Sequence, residues 1–160
     1  MMQLFWALLL VITLILQVSI LPLIAYAGNK PDLLLMITLS AGLLYGREHG
    51  VGIGFFAGLL QDLAAGGIFG LNTLSKVLVG YVAGMAERKV FKEHILLPLF
   101  SVGAATAAQY IFHLLLLFLF AYKVNFVDAI MMNLIPMVIY NMLFSVPMHG
   151  IVYKLGQLER

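Results

Sequence analysis

Cysteine is absent from the 160 residues, which excludes a disulfide framework, a thiol nucleophile and a thiolate metal site. Charge is scarce as well: Asp, Glu, Lys and Arg make up 10% of the chain, against roughly a quarter in soluble domains. The formal net charge of +2 is too small and too scattered for the basic footprint that nucleic acid requires, so nucleic acid is not an expected partner. The Gly-x-Ser-x-Gly elbow, the HExxH helix and the phosphate-cradling Walker pattern are all missing. Nothing points to an enzyme, a cofactor or a metal.

What the chain has in abundance is hydrocarbon, at 63% hydrophobic residues. A helix crossing a bilayer core needs about 20 apolar residues, at 1.5 Å of rise per residue over roughly 30 Å. Charges and Pro/Gly clusters divide the chain into apolar blocks at 4–24, 33–46, 51–67, 68–86, 95–122 and 129–153. These blocks lack the in-out alternation of barrel strands, and backbone groups in lipid must bond within their own segment. The expected fold is therefore all-α, a polytopic bundle of about six transmembrane helices forming a single integral membrane domain over 1–160.

The first block is followed by Ala25-Tyr26-Ala27, which resembles a secretory cleavage site. No Lys or Arg precedes it, and it exceeds the roughly 7–15 residues of a signal core, so it reads as a retained span. A five-span count would follow if the short second block failed to cross, or if the third and fourth formed a re-entrant hairpin. With both termini cytoplasmic, Arg47, Arg88, Lys89, Lys92, Lys154 and Arg160 fall inside, and only Lys30 and Lys123 outside. The positive-inside rule favours that arrangement. The segments between spans are too short to fold a water-soluble catalytic domain, so function is expected in the membrane or at its surface.

Glycine concentrates between residues 50 and 84. Gly50, Gly54 and Gly58 recur every four residues, and Gly80 and Gly84 repeat the spacing. Such strips let helix backbones approach where lipid supplies no hydrophobic drive. Gly66, Gly67 and Gly70 mark a hairpin joint, with Asn72 as a cap for the next helix. Asp62 and Lys76 lie at similar depth if the chain folds midway between them, which predicts an ion pair pinning that hairpin. The competing reading makes Asp62 a proton, cation or partner ligand.

Further along, Gln109 and His113 stand one turn apart, and Asn133 and Asn141 interrupt the last block beside Pro136 and Pro147. One His and one amide do not make a metal site, so these polar residues read as interhelical hydrogen-bonding groups in a kinked bundle. His49, His94 and His149 fall near membrane edges, and Trp6, Tyr26 and Tyr122 suit interfacial anchoring. Ser145 and His149 share a helix face, but Pro147 separates them and no orienting carboxylate is near, which argues against a hydrolase.

Pro31-Asp32-Leu33, Gly54-Phe55-Phe56-Ala57-Gly58-Leu59-Leu60 followed by Asp62, then Gly66, Gly70, Leu71, Asn72, and Val79-Gly80-Tyr81 with Gly84 together resemble the MreD family of rod shape-determining proteins. The resemblance implies a subunit of the cell-elongation (rod) complex in the bacterial inner membrane. It would be a non-enzymatic scaffold that binds the single-span protein MreC and supports peptidoglycan synthesis beside a RodA-type glycosyltransferase and a class B penicillin-binding protein. It also implies a fold similar to the substrate-binding subunits of energy-coupling-factor transporters. A vitamin-type carrier is the alternative. Those carriers dock their partner through a small-residue strip on the first span, whereas here that span has only Ala7 and Ser19 as small residues.

Overall fold

The computed structural model describes residues 2–25, 28–86, 96–120, 122 and 125–157. Tyr26, Ala27, Arg88, Lys89, Lys92, His94, Lys123 and Arg160 lie outside the described residues, and with them much of the charge asymmetry noted above.

Among the described residues every regular element is helical. They are α1 (Met2–Ser19), a 3-10 turn (Leu21–Ile24), α2 (Leu33–Tyr45), α3 (Arg47–Ala65), α4 (Leu71–Met85) and α5 (Leu96–Leu119). A short α6 (Phe126–Asp128) then runs through a π-helical stretch (Ala129–Leu134) into α7 (Ile135–Gln157). Leu99–Leu119 and Ala129–Lys154 are long and apolar enough to cross a membrane, and Leu4–Ser19 and Leu33–Tyr45 are shorter apolar helices.

The boundaries have local causes. Pro22 tightens the end of the first block into the 3-10 turn, so α1 stops at Ser19. Gly46 alone joins α2 to α3, and the charged Arg47-Glu48 pair opens α3 instead of forming a loop, with Glu48 in the first turn beside the positive end of the helix dipole. Between α3 and α4 the chain reverses through Gly66 (φ +63°) and Gly70 (φ +94°), left-handed positions that cost a residue with a side chain about 1–2 kcal/mol.

Helix α2 is the hub of the packing: it touches α1, α3, α4, α5 and α7. Every residue from Leu33 to Leu43 is buried, which accounts for a helix that is apolar all round. Helices α3 and α4 form the closest pair, α5 packs on α7, and α1 leans on α2 and α3.

The distribution of polarity is inverted relative to a soluble bundle. Gln17, Asp32, Lys76, Thr106, Gln109 and Asn141 are buried, while Leu4, Leu63, Leu119 and Leu143 each expose about two thirds of their surface or more. Water is a poor solvent for such an exterior, and hydrocarbon is a compatible one.

Candidate functional site: a buried polar hub

The polar groups inside the bundle converge on one carboxylate. Asp32 precedes α2 and caps it, accepting from the Leu35 backbone N–H at 3.0 Å on Oδ1. On Oδ2 it accepts from Lys76 Nζ of α4 at 2.8 Å, a salt bridge with 0% and 3% exposure on the two sides. Gln109 Nε2 of α5 donates to the same oxygen at 3.3 Å, and Gln61 Nε2 of α3 at 3.5 Å. Gln17 of α1 donates to Oδ1 at 3.4 Å while its own Oε1 accepts from the Leu34 N–H. The Asp32 N–H donates to Asn141 Oδ1 of α7 at 2.8 Å, and Asn141 Nδ2 donates onward to Thr106 Oγ1. Thus α1, α3, α4, α5 and α7 each place a side chain in a single connected network centred on Asp32, to which α2 adds its Leu34 and Leu35 backbone N–H groups.

A buried charge is tolerable only when paired and hydrogen-bonded. Asp32 meets both conditions. With their Nε2 groups turned to the carboxylate, Gln61 and Gln109 leave their Oε1 atoms without a partner among the described residues. Flipping either amide would set oxygen against carboxylate, so its orientation is fixed by Asp32.

The expected Asp62–Lys76 pair is not formed. Lys76 turns inward to Asp32, and Asp62 instead receives the start of α4. Asp62 Oδ2 accepts from the Gly70 and Thr73 backbone N–H groups, and Oδ1 from the Asn72 N–H, each at 3.0 Å. The Asn72 amide and the Thr73 hydroxyl donate to it as well. The N-terminus of α4 carries unpaired N–H groups and a positive dipole end, so a carboxylate there is better placed than one facing an ammonium already taken. Asn72 is accordingly a donor to Asp62 rather than the cap itself.

The glycine strips face one another. A Cβ on Gly50 would collide with the Gly80 carbonyl, and one on Gly80 with the Gly50 carbonyl. Gly54 lies against the Lys76 backbone, Gly58 against Thr73, and Gly84 against Arg47. The strips are therefore filled from within the chain by the α3–α4 contact, and are not free for an incoming helix.

Of the other polar residues singled out by sequence, Gln109 and Asn141 enter the hub. His113 sits beside it, its Nε2 2.7 Å from Ser75 Oγ. Asn133 lies apart, 3.3 Å from Asn29 Nδ2, which also donates to the Met132 carbonyl of the π-helical stretch. Ser145 and His149 do not meet: Ser145 Oγ donates to the Met142 carbonyl, and His149 Nδ1 lies 3.1 Å from Ser40 Oγ. Among the described residues no group of three or more His, Cys, Asp or Glu could hold a metal. Asp32 as a centre, with Gln17 and Gln61, was missed from sequence. Asp32 had a readable signal, an acidic residue before an apolar run in the N-cap position.

Among the described residues the chain is a helical bundle with an apolar exterior and a buried polar network, an arrangement compatible with a helical membrane protein. The chain belongs to the family of the rod shape-determining protein MreD, which it matches over residues 1–158. No curated protein and no solved structure matches, so the likeness to energy-coupling-factor subunits gains no support from a solved fold.

Proposed function

We propose that this protein is a non-enzymatic scaffold of the bacterial rod complex, spanning the inner membrane six times with both termini in the cytoplasm. It binds the membrane helix and juxtamembrane part of MreC. Through MreC, or directly, it supports the RodA-type glycosyltransferase and the class B penicillin-binding protein in building peptidoglycan.

Family membership over almost the whole chain supports the role in cell shape. The observation that carries the scaffold reading is the hub: the buried Asp32–Lys76 ion pair is held by side chains from α1, α3, α5 and α7 at the start of α2. Such a network suits a rigid platform better than a site that must open and reset in each turnover cycle.

The test is a depletion strain complemented by the wild-type gene and by Lys76→Met. Wild-type protein should restore rods and co-purify with MreC, and Lys76→Met should leave round cells. Rod shape sustained without any association with MreC would reject the scaffold reading. Micromolar vitamin binding by the purified protein would favour the carrier instead.

A further inference from the structure

With the glycine strips closed by α3 and α4 themselves, a docking helix needs another seat. A groove of about 720 Å³ is lined by α1 and α3. Ala7 and Val11 line it from α1, and Gly52, Phe56 and Leu60 from α3.

Gly52 differs from the other glycines of α3. A Cβ at Gly50, Gly54 or Gly58 would strike backbone, whereas one at Gly52 meets nothing within 4 Å. Gly52 and Ala7 thus leave the floor open to a close backbone approach.

The end of the groove carries charge. Glu48 lines it and is exposed, and no described residue forms an ion pair with it. Arg47, its neighbour, is directed elsewhere, with its guanidinium 5.8 Å from the Tyr81 ring centroid on α4. Beside Glu48, Trp6 packs edge-on against Tyr45, and Tyr45 in turn contacts His49, so the wall at this end is braced by rings.

We infer that the groove between α1 and α3 seats a single membrane helix of a partner, whose lysine or arginine at the cytoplasmic edge pairs with Glu48. The inference rests on the scaffold reading and narrows it to one face. Charge decides the occupant. An acyl chain would cover the apolar walls and leave Glu48 unanswered, an anionic headgroup would be repelled, and a zwitterionic headgroup would bring a phosphate along with its ammonium, whereas a lysine or arginine brings an uncompensated positive charge. A membrane helix entering from the cytoplasmic side typically carries basic residues at that edge. From Glu48 to Leu60 the groove follows α3 for about 18 Å, over half of a roughly 30 Å hydrocarbon core.

The absence of native cysteine makes the test clean. Single cysteines at Ala7 and Gly52, with Leu115 on α5 as the outside control, are paired in cells with cysteines scanned along the membrane helix of full-length MreC. Oxidative crosslinks are expected from Ala7→Cys and Gly52→Cys with helical periodicity, and none from Leu115→Cys. Gly52→Leu should lower MreC co-purification at least tenfold without changing the elution of the folded bundle. Glu48→Lys should lower it similarly, with recovery when the facing basic residue of MreC is reversed to Glu. Crosslinks from Leu115 alone, crosslinks only between copies of this chain, or a groove holding only lipid while MreC still co-purifies would overturn the assignment and leave the scaffold reading standing. Failure of the unmodified protein to co-purify with MreC would overturn both.

Discussion

Replacing Lys76 with methionine removes the partner of a carboxylate that is 3% exposed. Removing one member of a buried pair costs about 3–5 kcal/mol, so Lys76→Met should lower the melting temperature in detergent sharply or abolish folded yield. The exchange Asp32→Lys with Lys76→Asp should recover only part of that loss, because the Asp32 carboxylate also caps α2 through the Leu35 N–H. Asp62→Ala should cost about 1–2 kcal/mol as a lost cap, and Asp62→Lys with Lys76→Asp should rescue nothing. Thermal unfolding of the solubilised variants checks all four. The sequence marked both charges as needing a reason, and each has a partner inside the bundle. It chose the wrong partner because depth was reckoned by symmetry within one hairpin. The counter-ion of Lys76 lies 44 residues earlier, at the start of α2 and two helices away in the chain.

At the level of the helices, the two sorts of glycine on α3 and α4 make opposite predictions. Gly50→Leu or Gly80→Leu drives a side chain into the facing carbonyl and should part α3 from α4, read as loss of the monodisperse peak in size exclusion. Gly52→Ala meets open space and should be neutral or stabilising by about 0.5–1 kcal/mol, since alanine holds a helix better than glycine. Spacing alone drew attention to the four-residue strip. It could not show that the strip on one helix is closed by the strip on the next, because that depends on the reversal at Gly66 and Gly70 bringing the two into register. The central place of α2 was equally hidden. Its thirteen residues looked too few to span, and their uniform apolarity is what a helix wrapped by five others requires.

For the whole molecule, the six-span reading fixes the side of each turn. Alkaline phosphatase fused after Gly28 should be active, and fused after Gly46 inactive. The reverse pattern would invert the proposed orientation, and activity at both would mean that α2 does not cross. The general character was open to reading from composition, because an excess of hydrocarbon leaves few other solutions. The interior was not, since Gln17, Asp32, Gln61, Lys76, Gln109 and Asn141 are distributed along the chain and become one site only through tertiary packing.

That scatter has a consequence for biogenesis. In the proposed topology Asp32 leaves the ribosome 44 residues ahead of Lys76 and 109 ahead of Asn141. At about 5–20 residues per second, the acid waits on the order of seconds for its counter-ion. During that interval the carboxylate at the start of α2 lacks its counter-ion, which at membrane depth costs about 2.5–3.5 kcal/mol and favours retention of α2 beside the insertion machinery until α4 emerges. Lys76→Met should therefore yield a nascent chain that lingers at the translocon, visible as prolonged crosslinking to it, before any mature protein can be assayed.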